Sequence, residues 1–210
     1  MKKNIILHLM VISFIFGFGY QTLSAKTILT PFVGFDLMQK AGKESDYLPG
    51  ERDFCLTDSH TVNGFGLGIK SDKTVYFGFE LNYSLKGNAL QTDPSDEDTV
   101  TIDTYTRASG SILLGVRAVN SPSFSMAFEA GGGGLYLLNA EEKSYTSTAG
   151  YETIISPPEN AFGAHAFAGL ALTAFFTPSV GIHVAARYQI FFLTPQQSAI
   201  SLQAGLAFRI

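Results

Sequence analysis

The stretch Val75–Lys86 reads VYFGFELNYSLK, and its alternation decides the fold. Val75, Phe77, Phe79, Leu81, Tyr83 and Leu85 fall on one face. Tyr76, Gly78, Glu80, Asn82, Ser84 and Lys86 fall on the other. Side chains along a strand point to opposite faces in turn, so period two separates the two sets cleanly, whereas a helix would scatter both around its axis. The same pattern returns at the end of the chain. In Ser201–Ile210, SLQAGLAFRI, Leu202, Ala204, Leu206, Phe208 and Ile210 oppose Ser201, Gln203, Gly205, Ala207 and Arg209.

Working outward, the alternation predicts eight strands. They run over Ile28–Met38, Thr61–Lys70, Val75–Lys86, Thr101–Ala118, Phe124–Leu138, Ala161–Phe175, Gly181–Phe191 and Ser201–Ile210. Three connections read as tight turns, at Ser71–Thr74, Asn120–Ser123 and Phe176–Val180, the last two carrying Pro122 and Pro178. Residues 39–60, 87–100 and 139–160 read as long polar loops, and Phe192–Gln197 as a short one. Long connections on one side and tight turns on the other are the signature of an up-and-down antiparallel transmembrane β-barrel, so the fold class is all-β. The outward face is apolar while the inward face carries Glu80, Arg107, Arg117, Glu129, Arg187 and Arg209, the reverse of a barrel built for water. Outward Phe and Leu match lipid, and a closed ring leaves no backbone polar group unpaired there.

The N-terminus reads as an export signal. Lys2 and Lys3 precede an apolar run, Ile5–Phe16, broken by His8 and Ser13, and Ala25 fits the residue before a cut. Residues 1–25 are thus expected to be removed, leaving 26–210 as one barrel domain. Without Lys2 and Lys3 the chain keeps 12 basic and 18 acidic side chains, which argues against a nucleic-acid surface. Cys55 has no partner cysteine, and its acidic surroundings (Glu51, Asp53, Asp58) favour an inert thiol, with pairing to another molecule as the alternative.

The chain resembles the small OmpA/OmpX-type family of porin-like outer-membrane β-barrels. The resemblance is carried by Thr30-Pro31-Phe32-Val33-Gly34, Ala186-Arg187-Tyr188-Gln189 and Gly205-Leu206-Ala207-Phe208-Arg209-Ile210, set in order within the eight strands. It implies a monomer in the outer membrane of a Gram-negative-type bacterium, in contact with outer-membrane lipid and lipopolysaccharide. It also implies delivery by the outer-membrane assembly machinery. The family usually closes on a terminal Phe, whereas this chain closes on Phe208-Arg209-Ile210.

An eight-stranded barrel is just wide enough for side chains to fill, so inward charges are expected to pair. Parity puts Glu80, Glu129, Arg107, Arg117, Arg187 and Arg209 inside, as a charged network joining the glutamates to one or more of the arginines. Its expected role is structural. A narrow channel, which the family resemblance allows, is the alternative. An enzyme is the competing class, because some barrels resembling this one modify lipid through Ser, His and acidic groups. His165 and His183 fall on the inner face with no evident Ser-plus-acid arrangement at the lipid-facing surface, so no catalytic residue is assigned. His60, His165 and His183 are too scattered for a metal site, and no cofactor is expected. The Gly131–Gly134 run lacks the lysine and the strand–helix setting of a phosphate loop. It is expected to permit curvature or close packing against interior side chains. The long loops are net acidic: residues 39–60 carry three basic and five acidic groups, residues 87–101 carry Asp93, Asp96, Glu97 and Asp98 with no base, and residues 139–160 carry Glu141, Glu142, Glu152 and Glu159 against Lys143. They are expected to form a negative outer rim, either a plain solvated face or a surface for an unidentified ligand.

Overall fold

The computed structural model describes residues 26–39, 60–85, 88–92, 99–103, 106–138, 143–146, 152–155, 162–193 and 196–210. Cys55, the expected signal and the bulk of residues 39–60 lie outside them. The barrel strands are β1 (Thr27–Gln39), β2 (His60–Ser71), β3 (Val75–Ser84), β6 (Thr106–Asn120), β7 (Phe124–Leu138), β10 (Phe162–Phe175), β11 (Val180–Phe192) and β12 (Gln197–Arg209). Each pairs antiparallel with its neighbours in chain order, and β1 closes the ring on β12. Thr27 and Ile210 exchange both backbone bonds at the seam, at 2.9 and 2.8 Å.

Parity holds on every barrel strand. One outward apolar side chain from each shows the belt: Val33, Phe65, Phe77, Ile112, Phe128, Leu170, Val184 and Leu202, exposed by 44–65%. Such a girdle would aggregate in water and is matched by hydrocarbon. Among the described residues no helix is long and apolar enough to cross a membrane, and the strands make the crossing instead.

Three boundaries differ from the expectation. The strand expected over Thr101–Ala118 is two elements, because β5 (Thr99–Asp103) pairs with β4 (Asn88–Thr92) in a separate hairpin before β6 begins. The loops at 87–100 and 139–160 therefore hold strand structure, β8 (Lys143–Thr146) and β9 (Glu152–Ile155) forming the second hairpin. The last strand starts at Gln197 rather than Ser201, since Gln197–Ile200 continues the same inward–outward alternation against β1 and β11. A register shift between Arg117 and Val119 bulges β6 beside its turn.

The glycines let the strands carry large interior rings. A Cβ on Gly115 would strike the Tyr76 ring, and one on Gly131 would meet the Ile112 carbonyl and the Phe167 ring. The glycine run in β7 thus serves close packing.

Candidate functional site

The chemistry of this chain lies inside the barrel, where inward parity and the register stack charged side chains along the axis. Glu80 on β3, Glu129 on β7, Arg187 on β11 and Lys70 on β2 form the central layer. Arg187 Nη1 donates to both Glu80 oxygens, at 2.8 and 2.9 Å, and Nη2 donates to Glu129 Oε2 at 2.7 Å. β11 and β3 stand on opposite sides of the ring, so the Arg187–Glu80 pair spans the lumen. Lys70 Nζ and the Tyr76 hydroxyl donate to Glu129 Oε1, at 3.1 and 2.6 Å. Asn82 and Gln203 donate their amides to Glu80 Oε1. All four charged groups are buried, so their charges are neutralised by one another rather than by water.

Of the four arginines placed inside by parity, Arg187 alone binds the two glutamates. Arg107 pairs instead with Asp36 at 2.7 Å, toward the end of the barrel that bears the hairpins. Arg117 and Arg209 share Asp72 at the turn end, each at 2.7 Å. Arg209 Nη1 also donates to the carbonyls of Pro122 and Pro178, so one side chain ties the three turns together. The reach of the side chains decides this division. Arg107 lies near the hairpin end of β6 and takes Asp36 at its own level, while Arg117 is separated from Glu129 by the Tyr76 ring it lies over and reaches Asp72 in the turn. Asp36, Lys70 and Asp72 were missing from the expected network. Asp36 and Lys70 have inward parity on β1 and β2, which was the available signal; Asp72 sits in a turn, where parity does not apply.

Each inward arginine also lies over a ring: Arg107 over Phe191, Arg117 over Tyr76, Arg187 over Phe167 and Arg209 over Phe175, at 3.9–4.9 Å. Charge and ring alternate inside the barrel, and cation–π contact adds to the ion pairs.

The two interior histidines each meet a hydroxyl. His165 Nε2 lies 2.8 Å from Ser111 Oγ, and His183 Nδ1 lies 3.0 Å from Thr173 Oγ1. The Ser111–His165 contact was not foreseen. It places a nucleophile beside a base, yet among the described residues Nδ1 of His165 has no hydrogen-bond partner and no acid orients it. Both side chains are buried in the lumen, away from lipid. Above the central layer, Asp36, Arg107, Ser201 and Gln203 together with Leu135 and Phe191 border a recess of mixed polarity, about 30 Å³. That is space for about two water molecules. Among the described residues no group of side chains is arranged to hold a metal ion.

No protein-family model and no curated protein matches the chain. Solved structures do. Neisserial surface protein A is 9% identical, with 88% of this chain and 97% of that one covered and a TM-score of 0.52. The outer-membrane protein OprG of Pseudomonas aeruginosa is 11% identical over 89% of this chain and 96% of its own, with a TM-score of 0.49. The attachment invasion locus protein Ail of Yersinia pestis, in complex with the heparin analogue sucrose octasulfate, is 13% identical over 88% and 98%, with a TM-score of 0.44. Closed ring, outward apolar girdle and paired interior charges thus meet in one molecule, and the chain has the fold of the small eight-stranded outer-membrane β-barrels.

Proposed function

We propose that this protein is a non-conducting outer-membrane scaffold that holds its hairpin-bearing end at the cell surface for interaction. One observation carries the first half: Arg187 reaches across the lumen and is held on both sides, by Glu80 and by Glu129. An ion crossing the barrel would have to part these buried pairs and lose their mutual neutralisation, which costs several kcal/mol. The second half is supported by the asymmetry of the ends. The turn end is closed by Arg209 and Asp72, while the other end is drawn out into two further hairpins. An enzymatic reading has weaker support, since the Ser111–His165 pair lies within the lumen and has no orienting acid among the described residues.

The recess that runs from Asp36 and Arg107 to Gln203 favours a second reading, a narrow channel. Single-channel recording in planar bilayers separates the two. The scaffold reading expects silence from the wild-type protein under moderate voltage and openings from an Arg187→Ala variant. A steady conductance from the wild type would overturn it.

A further inference from the structure

Charge is spread unevenly over the turn end of the barrel. The turn from β6 to β7 (Ser121, Pro122, Ser123) and the turn from β10 to β11 (Phe176, Thr177, Pro178, Ser179) carry no charged side chain. The turn from β2 to β3 carries Asp72 and Lys73. Lys26 stands beside it: the Asp72 amide donates to the Lys26 carbonyl at 2.7 Å, and Thr27 pairs with Ser71. Both lysines therefore fall in one sector of the rim.

The acid between them does not neutralise them. Asp72 Oδ1 is held by Arg117 and Oδ2 by Arg209, each at 2.7 Å, so one carboxylate already serves two guanidiniums. The Ile210 carboxylate accepts the Thr27 amide and forms no ion pair with either lysine. Lys26 and Lys73 are exposed, and neither has an ion-pair partner among the described residues. The outward girdle begins at once beside this sector, with Ile69, Val75 and Phe77 exposed by 41–65%. Two unpaired ammonium groups thus stand at the edge of an apolar belt. Lysine stems can lie along such a belt and keep their charge at headgroup level. A dissolved anion gains only from the charge, whereas an anionic lipid gains from charge and belt together.

We propose that Lys26 and Lys73 together hold the headgroup phosphate of one anionic phospholipid, whose acyl chains lie along Ile69, Val75 and Phe77. A zwitterionic lipid is held less well, because its own ammonium meets the lysines. Short turns of such barrels lie on the periplasmic side, so the lipid comes from that leaflet. The site goes beyond the scaffold reading and needs only the lipid-facing girdle.

The test is native mass spectrometry of the protein, purified from membranes, in micelles doped with equal amounts of phosphatidylglycerol and phosphatidylcholine. The wild type is expected to retain at least about fivefold more of the first. Lys26→Gln with Lys73→Gln should retain the two lipids equally, with gel mobility showing the barrel still folded. Lys26→Arg with Lys73→Arg should keep the preference. A fourth variant adds Ser123→Lys and Ser179→Lys to the double glutamine change, which restores the net charge on the other two turns. It is expected to show no preference. Equal retention by the wild type would overturn the site. A preference that survives in the double glutamine variant or in the fourth variant would also overturn it, in favour of diffuse attraction. Displacement of the lipid by a hundredfold excess of soluble glycerophosphoglycerol would make this a site for dissolved phosphates and overturn the lipid reading. Conductance by the wild type would count against the scaffold reading without altering any of these outcomes.

Discussion

Arg187→Met is the sharpest test of the central layer. Methionine keeps an unbranched stem against Phe167 and removes the guanidinium, and with it the bonds at 2.8 and 2.9 Å to Glu80 and at 2.7 Å to Glu129. Glu80 then keeps the amides of Asn82 and Gln203, and Glu129 keeps Lys70 and Tyr76. The layer passes from two cations against two carboxylates to one cation against two, with the surplus charge buried mid-barrel. Breaking a buried pair in this way costs about 3–5 kcal/mol. The cation–π contact with Phe167, worth about 1 kcal/mol, is lost as well. Urea titration in detergent or vesicles, with the folded fraction read from gel mobility, should show a midpoint well below wild type. Adding Glu80→Gln should return most of the loss, since the layer again balances Lys70 against Glu129 and a neutral replacement of a buried pair is close to neutral. A wild-type midpoint for Arg187→Met would refute the reasoning and mean that water already screens these groups. Failure of the second substitution to rescue would show that geometry rather than charge balance holds the layer.

The two glutamates should not be equivalent. Glu129→Ala leaves Lys70 without its carboxylate and deprives Arg187 of one of two, whereas Glu80→Ala leaves Arg187 still on Glu129; both should destabilise in the same titration, Glu129→Ala toward the upper end of about 3–5 kcal/mol. Ile112→Arg on the outer girdle should cost about 2–4 kcal/mol of folding into vesicles if that position lies near the bilayer midplane, and a value near zero would argue against a lipid-facing surface. Gly115→Ala should cost about 1–3 kcal/mol by driving a methyl into the Tyr76 ring, and Gly115→Ala with Tyr76→Leu should relieve the clash at the price of the hydroxyl on Glu129.

The sequence by itself determined the number of barrel strands, their order and which side chains face inward. Period-two alternation is a local property of the backbone pleat, so Val75–Ser84 shows its two faces without any knowledge of its neighbours. It also marked Glu80, Glu129 and Arg187 as interior groups in need of partners. What only the tertiary structure decided is which charge meets which. Pairing across a lumen depends on strand register, barrel stagger and the reach of each side chain, none of which is written along one strand. Hence Arg107 meets Asp36, Arg117 and Arg209 meet Asp72, and Ser111 meets His165 across β6, β7 and β10. The hairpins were hidden for a related reason. Asn88–Thr92 has no apolar face to announce a strand, and Ile102 in Thr99–Asp103 reads as the start of the strand expected over Thr101–Ala118; only the pairing of the two segments shows them to be a hairpin.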